Sequence, residues 1–517
     1  MTRLCVPIFV RSEEQARRDI ALATEAGADV IELRIDTYDD IDAVGSLIRH
    51  AGVPCILTRR PVWEGGESED ADADRVRFLD ECAVATARHT DLELATYRKF
   101  PDAIANERCK LILSLHDFKG RPERLYNVVE ELNATRSDVN KIVWAARTLR
   151  DNIEAFELLL HKQKPTIALC IGEAGLISRV LAKKFGAFLT FASLDDSSGT
   201  AAGQVPVADM KRLYRWDAIG PSTKVYGVVG SPVAHSMSPA IHNAAFDRVG
   251  YDGVYLPLLV NPGYESFKAF MESFLAFAPL DLAGLSVTIP HKENALRYLK
   301  ERGADVEELA ERIGAVNTIL IDRDDDAQSS PRLRGVNTDY AAILDTITSA
   351  LGSTRDDLAG KRVAVIGAGG TGRTAVAALA HYGATVVVYN RTKERADELA
   401  REFDGKRGKV VSGRMEKLCD SCCHVFVNTT SVGMHPNIDA SPLGDRLPEF
   451  EPGTLVFDTI YNPIETKLLR DAKAAGAKTV GGIEMFVRQA VKQFEAWTDK
   501  PAPVDVMRGV VEDRLRS

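Results

Sequence analysis

The amino-acid sequence predicts an α/β protein in which a closed (β/α)8 barrel is followed by two further α/β domains. Apolar, strand-like runs alternate with helix-like stretches over residues 4–191, which is the pattern of a parallel sheet wrapped by helices. After residue 360, a glycine-rich turn lies directly between a strand and a helix, as in nucleotide-binding domains. At 517 residues, the chain is long enough for about three domains.

Eight apolar runs support the barrel, and a doubly wound sheet is the alternative arrangement of the same elements. Helix-like patterns separate most of the runs, for example at residues 14–26 and 151–160. In a barrel, the side chains at the carboxyl ends of the strands gather at one face. The predicted strands are residues 4–10, 30–35, 55–58, 92–95, 111–115, 142–145, 166–170 and 187–191.

Charged side chains recur at the predicted strand ends. Strand alternation places Glu32 and Arg34 on one face of the second strand. Lys141 opens the sixth strand among apolar neighbours, and burial near cations favours the free amine that Schiff-base chemistry needs. A nearby histidine can move protons, and arginines can hold a carboxylate. The other polar residues at these ends are Arg60, Glu64, His116, Arg179, Thr200 and Gln204.

Each of these residues also has an ordinary structural explanation. A single lysine at a strand start usually extends to solvent, and a single histidine more often packs or caps than reacts. Glu64 and the arginines can form ion pairs at the rim of a barrel. Their repetition at the same end of successive strands favours one shared site.

The chain resembles type I 3-dehydroquinate dehydratase over nearly all of residues 1–215. The motifs that carry the resemblance are Glu32-Leu-Arg34-Ile-Asp36, Arg60-Pro-Val-Trp-Glu64-Gly-Gly, Leu-Ile-Leu-Ser-Leu-His116-Asp-Phe, Gly-Leu-Ile-Ser-Arg179 and Ala-Gly203-Gln204. The resemblance implies a TIM-barrel domain at residues 1–218, with no cofactor beyond the lysine itself.

The resemblance also implies roles for single residues. Lys141 would form an imine with the C3 ketone of 3-dehydroquinate, and His116, supported by Glu64, would take the C2 proton. Thr200 stands where the family often has serine, and it keeps the hydroxyl. The implied substrate contacts are Glu32, Arg34, Arg60, Arg179, Thr200 and Gln204.

The glycine turn has the spacing G-x-G-x-x-G at Gly367, Gly369 and Gly372. These glycines permit a tight turn, a close approach of a pyrophosphate, and close packing of the next helix. That helix, predicted at residues 371–380, offers free N–H groups to phosphate. The following strand ends in Asn390-Arg391-Thr392 rather than in an acidic residue. Because a guanidinium pairs with a 2′-phosphate, the sequence predicts NADP; an ordinary α/β unit with a solvated arginine is the alternative.

Between the barrel and the glycine turn, short strands end in polar residues, as expected at a sheet edge that lines a cleft. Ser236 and Ser238 precede a helix, which they can cap, and its N-terminus can also hold a carboxylate. Lys292 alone is typical of a solvated residue at a helix start. Asp339 alone is typical of an N-cap, for a helix predicted at residues 340–351.

Residues 226–497 resemble shikimate dehydrogenase, with motifs in consistent order. They include Val-Thr288-Ile-Pro-His-Lys292, Gly-Ala-Val-Asn317-Thr, Asn337-Thr-Asp339, Asn390-Arg391-Thr392, Val-Asn428-Thr-Thr-Ser431 and Gly481-Gly482-Ile-Glu-Met485. The resemblance implies a substrate domain at residues 223–340 that is completed by helices at 485–517. It implies a Rossmann NADP-binding domain at residues 341–484.

By this second resemblance, Lys292 and Asp339 are the acid–base pair at the reacting carbon. The implied substrate contacts are Ser236, Ser238, Thr288, Asn317, Tyr461 and Gln489. The implied cofactor contacts are Gly367, Ala368, Gly369, Gly370, Thr371, Gly372, Asn390, Arg391, Thr392, Thr429, Thr459, Gly482 and Met485.

Together, the two resemblances imply a bifunctional enzyme of aromatic amino-acid precursor synthesis. The barrel would convert 3-dehydroquinate to 3-dehydroshikimate, and the second half would reduce this product to shikimate with NADPH. Two alternatives stay open: a quinate dehydrogenase that uses NAD or NADP, and a non-catalytic sensor of shikimate-type ligands. The presence of Lys141, His116, Lys292 and Asp339 favours an enzyme.

Composition limits the other partners. A net charge of −9 argues against nucleic acid, and no apolar run approaches the ~20 residues that span a bilayer. The chain enters a strand almost at once, so we expect a cytoplasmic protein or a plastid enzyme without its transit peptide. The 8 scattered cysteines are expected to be buried structural thiols, and no metal is expected, because Cys419–His424 lacks a second ligand pair. The oligomeric state stays open.

Overall fold

The computed structural model describes residues 1–83, 88–102, 104, 109–195, 203–323, 330–405, 407–444 and 446–516. The chain divides into two compact units. The first consists of Met1–Pro239 and Asp252–Leu282, and the second consists of Ala240–Tyr251 and Ala283–Ser517. The predicted domain boundaries within residues 1–218, 223–340, 341–484 and 485–517 stay predictions.

The first unit contains a parallel barrel. Its strands are β1 (Arg3–Phe9), β2 (Val30–Arg34), β3 (Cys55–Thr58), β4 (His89–Glu93), β5 (Lys110–Asp117), β6 (Val139–Ala145), β7 (Thr166–Ile171) and β8 (Leu189–Phe191). Each strand lies beside its neighbour in the chain, and β8 pairs with β1. The N–H of Phe188 donates to the carbonyl of Thr166 at 2.8 Å, which joins the two ends of the sheet. The predicted barrel is confirmed over a doubly wound sheet.

Helices cover the outside of the barrel, and their starts follow capping chemistry. The hydroxyl of Ser12 accepts the N–H of Gln15 at the start of the first helix, and the carboxylate of Asp40 accepts the N–H of Ala43 at the second. The helices are α1 (Glu13–Glu25), α2 (Ile41–His50), α3 (Asp72–Ala83), α4 (Leu94–Tyr97), α5 (Leu125–Ala134), α6 (Asp151–Leu160), α7 (Leu176–Val180) and α8 (Val207–Arg212).

The fourth strand differs from its prediction. Residues 92–95 were expected, but β4 covers His89–Glu93, and α4 begins at Leu94. The apolar pattern misleads here because Asp91 and Glu93 are acidic yet buried, at 1% and 0% exposure. They alternate with Leu92, and strand geometry therefore places both on one face.

The first unit continues beyond the barrel with β9 (Lys224–Gly230), and all but the first two residues of α9 (Ser238–Val249) belong to the second unit. The first unit then resumes with β10 (Gly253–Leu259) and α10 (Tyr264–Ala276). Strands β9 and β10 are parallel. Lys184, buried in the barrel, forms a 2.6 Å ion pair with Asp281. The ring of Phe156 stacks on that of Phe185 at 4.1 Å, and Phe277 lies against both rings. These contacts attach the β9–β10 segment to the barrel.

The second unit begins with a short mixed sheet. Its elements are β11 (Leu282–Val287), α11 (Lys292–Glu301), β12 (Asp305–Val306), α12 (Glu308–Ile313), β13 (Thr318–Asp322), β14 (Arg332–Val336) and α13 (Thr338–Leu351). Strand β13 is antiparallel to β11 and β14. Asp322 pairs with Arg332, as expected for a polar hairpin at residues 322–331; its tip lies outside the described residues.

A six-stranded parallel sheet follows in the same unit. Its elements are β15 (Arg362–Ile366), α14 (Gly370–His381), β16 (Thr385–Tyr389), α15 (Lys393–Phe403), β17 (Lys409–Gly413), β18 (Val425–Asn428), β19 (Leu455–Asp458), α16 (Lys467–Ala474), β20 (Lys478–Val480), α17 (Gly482–Thr498) and α18 (Val504–Arg516). The strand order is β17-β16-β15-β18-β19-β20, which is the Rossmann order with a ligand crevice between β15 and β18. The predicted dehydrogenase fold is confirmed.

The cysteines are free thiols. Cys422 is exposed and Cys419 is half-buried, so the expectation of buried thiols is wrong for these two; they lie in a 3-10 helix and irregular chain before β18. Within the described ranges, His, Cys, Asp and Glu side chains form no group suited to a metal ion. No helix of the described chain combines the length and apolarity that crossing a membrane requires.

Truncation of Phe156 to alanine should destabilise the barrel by about 3–5 kcal/mol, because the fully buried ring leaves a cavity. The measurement is the urea midpoint of barrel unfolding by pulse proteolysis. Leu160→Ala is the matched control on the same helix. Its side chain is 44% exposed, so its loss should cost at most about 0.5 kcal/mol. Equal shifts in the two variants would contradict the packing.

Candidate active sites

The carboxyl ends of the barrel strands surround a pocket of about 540 Å³. Apolar side chains, including Phe191 and Phe118, form part of its wall. Thr200 lies outside the described residues. The pocket is lined by eight of the residues that the sequence predicts: Glu32, Arg34, Arg60, Glu64, His116, Lys141, Arg179 and Gln204. The structure thus gathers them, while their individual roles stay predictions.

Lys141 is the third residue of β6, two positions inside the strand rather than at its start. Its side chain is 4% exposed, and Nζ lies 2.8 Å from Oδ2 of Asp91 and 3.7 Å from Oε1 of Glu32. Nζ also lies 4.5 Å from the centre of the Phe191 ring. The sequence predicted cations around this amine. The nearest charged groups are carboxylates, because the acidic face of β4 points into the barrel.

Asp91 is a buried anion that the sequence analysis missed. Oδ2 of Asp91 accepts a hydrogen bond from Nζ of Lys141 at 2.8 Å. Oδ1 accepts a hydrogen bond from Oγ of Ser114 at 2.6 Å and forms an ion pair with Nη2 of Arg60 at 2.8 Å. Burial alone would raise the pKa of Asp91, but the charges of Arg60 and Lys141 outweigh it and hold this pKa well below its usual range. Asp91 is therefore a fixed negative charge and a poor base.

His116 and Glu64 form an oriented pair. Oε1 of Glu64 accepts the backbone N–H of His116 at 2.9 Å and lies 2.8 Å from Nδ1 of the same residue. We assign the ring hydrogen to Nδ1, which leaves Nε2 as a proton acceptor. Burial, with the cations Arg60 and Lys141, lowers the pKa of His116 well below its ordinary value. Burial raises the pKa of Glu64 to about 8 against the pull of Arg60, and Oε1 can accept in either protonation state.

The three predicted arginines differ in their partners. Arg34 is paired with Asp36 at 2.6 Å, and Arg60 is paired with Asp91 and Glu93. Arg179 has no carboxylate within ion-pair distance in the described part of the chain, and its Nε is unbonded there. Burial lowers the pKa of Arg179 to about 10, so it stays charged at neutral pH. It is the guanidinium best placed to accept a substrate carboxylate.

The glycine turn after β15 fits a dinucleotide. Gly367 has φ +111°, and a β-carbon on Gly372 would lie 2.3 Å from the carbonyl oxygen of Gly367. A β-carbon on Gly369 or Gly370 would meet no atom within 4 Å, which leaves open space above the start of α14. The turn is thus tightly packed between Gly367 and Gly372 and open beside Gly369 and Gly370. A pyrophosphate on a helix N-terminus requires this combination.

Other predicted cofactor residues border the same turn. Ala368 donates its N–H to Oδ1 of Asn390, and the hydroxyl of Thr429 donates to the carbonyl of Ile366. Thr371 lies in the first turn of α14, and Arg391 and Thr392 are exposed after β16. A β-carbon on Gly482 would lie 2.3 Å from the carbonyl oxygen of Thr459, and Met485 follows one turn later in α17.

Lys292 and Asp339 form an ion pair. Nζ of Lys292 lies 2.7 Å from Oδ2 of Asp339, and the side chains are 33% and 15% exposed. Asp339 is not the N-cap that its position suggested. Asn337 caps α13, because its Oδ1 accepts the N–H groups of Asp339 and Tyr340. The carboxylate of Asp339 is thereby left to bind the lysine.

The remaining predicted substrate residues make short local contacts. Val287, just before Thr288, donates its N–H to the carbonyl of Asn317. The amide of Asn317 bonds Thr338 through both of its polar atoms. Tyr461 stacks on Phe486, whose carbonyl accepts a hydrogen bond from Gln489. In the first unit, the hydroxyl of Ser236 accepts the N–H of Ser238 at the start of α9.

Three roles in these sites were not predicted: Asp91 beside the buried amine, Glu93 beside Arg60, and Asn337 as the cap before Asp339. The sequence Asp91-Leu-Glu93 has the same charged alternation as Glu32-Leu-Arg34. Had the start of the fourth strand been predicted three residues earlier, this alternation would have indicated that Asp91 and Glu93 face the inside of the barrel.

Family models cover most of the chain. Residues 4–221 match type I 3-dehydroquinase, and residues 228–319 match the shikimate dehydrogenase substrate binding domain. Residues 350–457 match shikimate / quinate 5-dehydrogenase, and residues 482–512 match the shikimate 5′-dehydrogenase C-terminal domain. The fold and the two sites thus define a fusion of a barrel dehydratase with a dinucleotide-dependent dehydrogenase.

One relative spans both halves. The bifunctional 3-dehydroquinate dehydratase/shikimate dehydrogenase of Arabidopsis thaliana, described as chloroplastic, is 39% identical over 521 residues, which cover 97% of this chain and 83% of that protein. The chain therefore belongs to the family of bifunctional 3-dehydroquinate dehydratase/shikimate dehydrogenase enzymes, and both predicted resemblances are confirmed.

Two further relatives match the dehydrogenase half. A shikimate dehydrogenase (NADP+) of Methanosarcina acetivorans is 40% identical over 57% of this chain and 99% of that protein. A crystal structure of shikimate dehydrogenase in complex with NADP+ superposes with a TM-score of 0.50 and 34% identity, covering 57% of this chain and 97% of that one.

Replacement of Gly372 by alanine should weaken NADP+ binding by about 10²-fold, because the new methyl group forces the turn away from α14. Isothermal titration calorimetry with NADP+ measures the change. Gly509→Ala is the control. Its β-carbon would meet no atom within 4 Å, so NADP+ affinity should not change. Unchanged affinity in Gly372→Ala would contradict the assignment of the turn.

Proposed function

We propose that the barrel dehydrates 3-dehydroquinate to 3-dehydroshikimate through a Schiff base on Lys141, and that the second site reduces this product to shikimate with NADPH. One observation carries the proposal. A buried amine, a neutral imidazole with a free Nε2 and a guanidinium without a carboxylate partner among the described residues line the same pocket.

The pocket geometry supports a stepwise dehydration. Arg179 binds the substrate carboxylate, which brings the ketone to Nζ of Lys141. The amine adds to the carbonyl, water leaves, and the resulting iminium withdraws electrons from the adjacent C–H bond. Nε2 of His116 takes that proton, with Nδ1 held by Glu64. The imidazolium returns the proton to the leaving hydroxyl, and water then hydrolyses the imine.

This dehydration needs no metal or organic cofactor, because the iminium itself is the electron sink. In this proposal, Glu32, Arg34, Arg60 and Gln204 surround the substrate hydroxyls and carboxylate. We propose that the protein acts in the cytoplasm, or in a plastid like the relative described as chloroplastic.

The second site supplies a proton where a ketone is reduced. When bound, NADPH supplies the hydride. Lys292 gives a proton from Nζ to the oxygen of the substrate, and Asp339 holds that ammonium group in place. The backbone of the turn at Gly367–Gly372 would hold the pyrophosphate, and Arg391 would pair with the 2′-phosphate.

Further side chains complete the proposed second site. In the second unit, Thr288, Asn317, Tyr461 and Gln489 bind the hydroxyls of the substrate in this proposal. Ser236 and Ser238, in the first unit, stay predicted ligands of a carboxylate. Asn390, Thr392, Thr429, Thr459, Gly482 and Met485 border the cofactor. A comparison of rates for shikimate and quinate with NADP and NAD distinguishes this proposal from a quinate dehydrogenase.

Two mirrored variants test the assignment of the activities. Lys141→Met should lower conversion of 3-dehydroquinate by at least about 10³-fold, since the nucleophile is lost, and it should still reduce 3-dehydroshikimate. Lys292→Met should lower that reduction by about 10²–10⁴-fold and keep the dehydratase. NADPH absorbance with 3-dehydroshikimate measures the reduction, and the ultraviolet absorbance of the conjugated enone formed from 3-dehydroquinate, without NADPH, measures the dehydration.

Borohydride provides the covalent readout for the same variants. With 3-dehydroquinate present, it should fix substrate mass on Lys141 in the unmodified protein and in Lys292→Met, as seen by peptide mass spectrometry. Absence of this label in the unmodified protein, or loss of both activities in each variant, would refute the proposed mechanism.

The imidazole of His116 should titrate below the ordinary histidine pKa of about 6.5, because burial and the cations Arg60 and Lys141 disfavour its charged form. The base is therefore active at neutral pH and is lost only as the pH falls through that lowered pKa. NMR titration of the ring, assigned by comparison with His116→Gln, measures the midpoint. A midpoint at or above 6.5 would contradict the electrostatics.

A further inference from the structure

The amine of Lys141 is the last member of a buried line of alternating charges. From α3 inward, Arg75 pairs with Glu93 at 2.9 Å, and Glu93 pairs with Arg60 at 2.8 Å. Arg60 then pairs with Asp91 at 2.8 Å, and Asp91 pairs with Lys141 at 2.8 Å. None of these five side chains is more than 4% exposed.

A buried line of charges stabilises a fold poorly. Each buried ion loses its hydration, and apolar replacements of similar volume are often neutral or stabilising. Here the line ends at the atom that reacts with substrate, and the mechanism above uses neither Asp91 nor Glu93.

We propose that Asp91 is the counter-ion of the cationic imine that Lys141 forms with substrate. In this inference, which rests on the proposed dehydratase function, Arg60, Glu93 and Arg75 are positioning residues that keep the Asp91 carboxylate at Nζ. Ser114 acts with them, because its hydroxyl and Nη2 of Arg60 hold the second oxygen of Asp91.

The charge balance of imine formation requires such a partner. The ammonium of Lys141 and the ketone become an iminium and one water molecule. Two hydrogens leave with the carbonyl oxygen, one remains on Nζ, and the positive charge stays on the nitrogen. The remaining N–H can still donate to Oδ2 of Asp91, so the anion neutralises the nitrogen before and after the bond forms.

Asp91 suits this role better than the other groups around the amine. Oε1 of Glu32 is farther away, at 3.7 Å, and accepts a hydrogen bond from Thr58. Asp91 is held ionised by two cations, so it does not take the proton that the iminium must keep. The other charged or titratable groups that line the pocket are Arg34, Arg60, Glu64, His116 and Arg179.

The decisive variant is Asp91→Asn, which keeps the size of the side chain and removes its charge. We expect kcat of the dehydratase, and the rate at which borohydride labels Lys141 with 3-dehydroquinate, to fall by about 10²-fold or more. The rising limb of the pH profile should move to lower pH, because the negative charge of Asp91 raises the pKa of His116 and its removal lets that pKa fall further. A purely structural role would lower the rate without moving that limb.

Asp138→Asn is the matched control. The Asp138 carboxylate accepts the N–H of Leu111 at the opposite ends of the strands, so labelling and pH profile should stay unchanged. Ser114→Ala is the second test variant, since it removes one donor to Asp91 and retains the charge; we expect kcat to fall about tenfold with KM nearly constant. Arg75→Lys should also lower kcat with KM nearly constant.

The outcomes separate this inference from the function on which it rests. If borohydride fails to label the unmodified protein, the proposed dehydratase mechanism fails. If the unmodified protein is labelled and Asp91→Asn keeps its rate and pH profile, the counter-ion assignment is overturned. If Asp91→Asn does not fold, Ser114→Ala decides: unmodified kinetics in that variant overturn the assignment, and the expected fall supports it.

Discussion

The positive charge buried at Lys141 is the constraint around which the barrel site is organised. An unpaired ammonium in that position would lose several kcal/mol of hydration free energy, and no ion pair would compensate for that loss. The protein offsets this loss with carboxylates from two strands, Glu32 on β2 and Asp91 on β4. Those anions need cations of their own, and Arg60 and Arg75 supply them. These charges, together with Glu93, therefore form one connected network inside the barrel.

Outside that network, the pocket keeps two groups available for substrate. Nε2 of His116 is a proton acceptor because Glu64 occupies the other ring nitrogen. Arg179 is a cation without a carboxylate partner in the described chain, whereas Arg34 and Arg60 are paired. The same burial that lowers the pKa of both groups also strengthens their interactions with a bound anion.

The sequence predicted the barrel, the Rossmann sheet and most of the pocket lining because these depend on local patterns. Strand periodicity and glycine spacing are readable one segment at a time. The fourth strand was misplaced by three residues because inward-facing acids interrupt the apolar pattern, and Asp91 and Glu93 were missed with it. Whether Asn337 or Asp339 caps α13 depends on the backbone dihedral angles and on which group each side-chain oxygen binds. A sequence motif specifies neither the dihedral angles nor the hydrogen-bond partners.

Both sites use a lysine–aspartate pair of almost equal length, 2.8 Å for Lys141–Asp91 and 2.7 Å for Lys292–Asp339. Their surroundings differ: the first pair is at most 4% exposed, and in the second the lysine is 33% exposed. In the proposed mechanisms, isolation from water suits Lys141, which would keep a covalent cation through several steps. Access to water suits Lys292, which would give away a proton in each turnover, because the solvent can replace that proton. The difference in burial therefore matches the different chemistry proposed for each lysine.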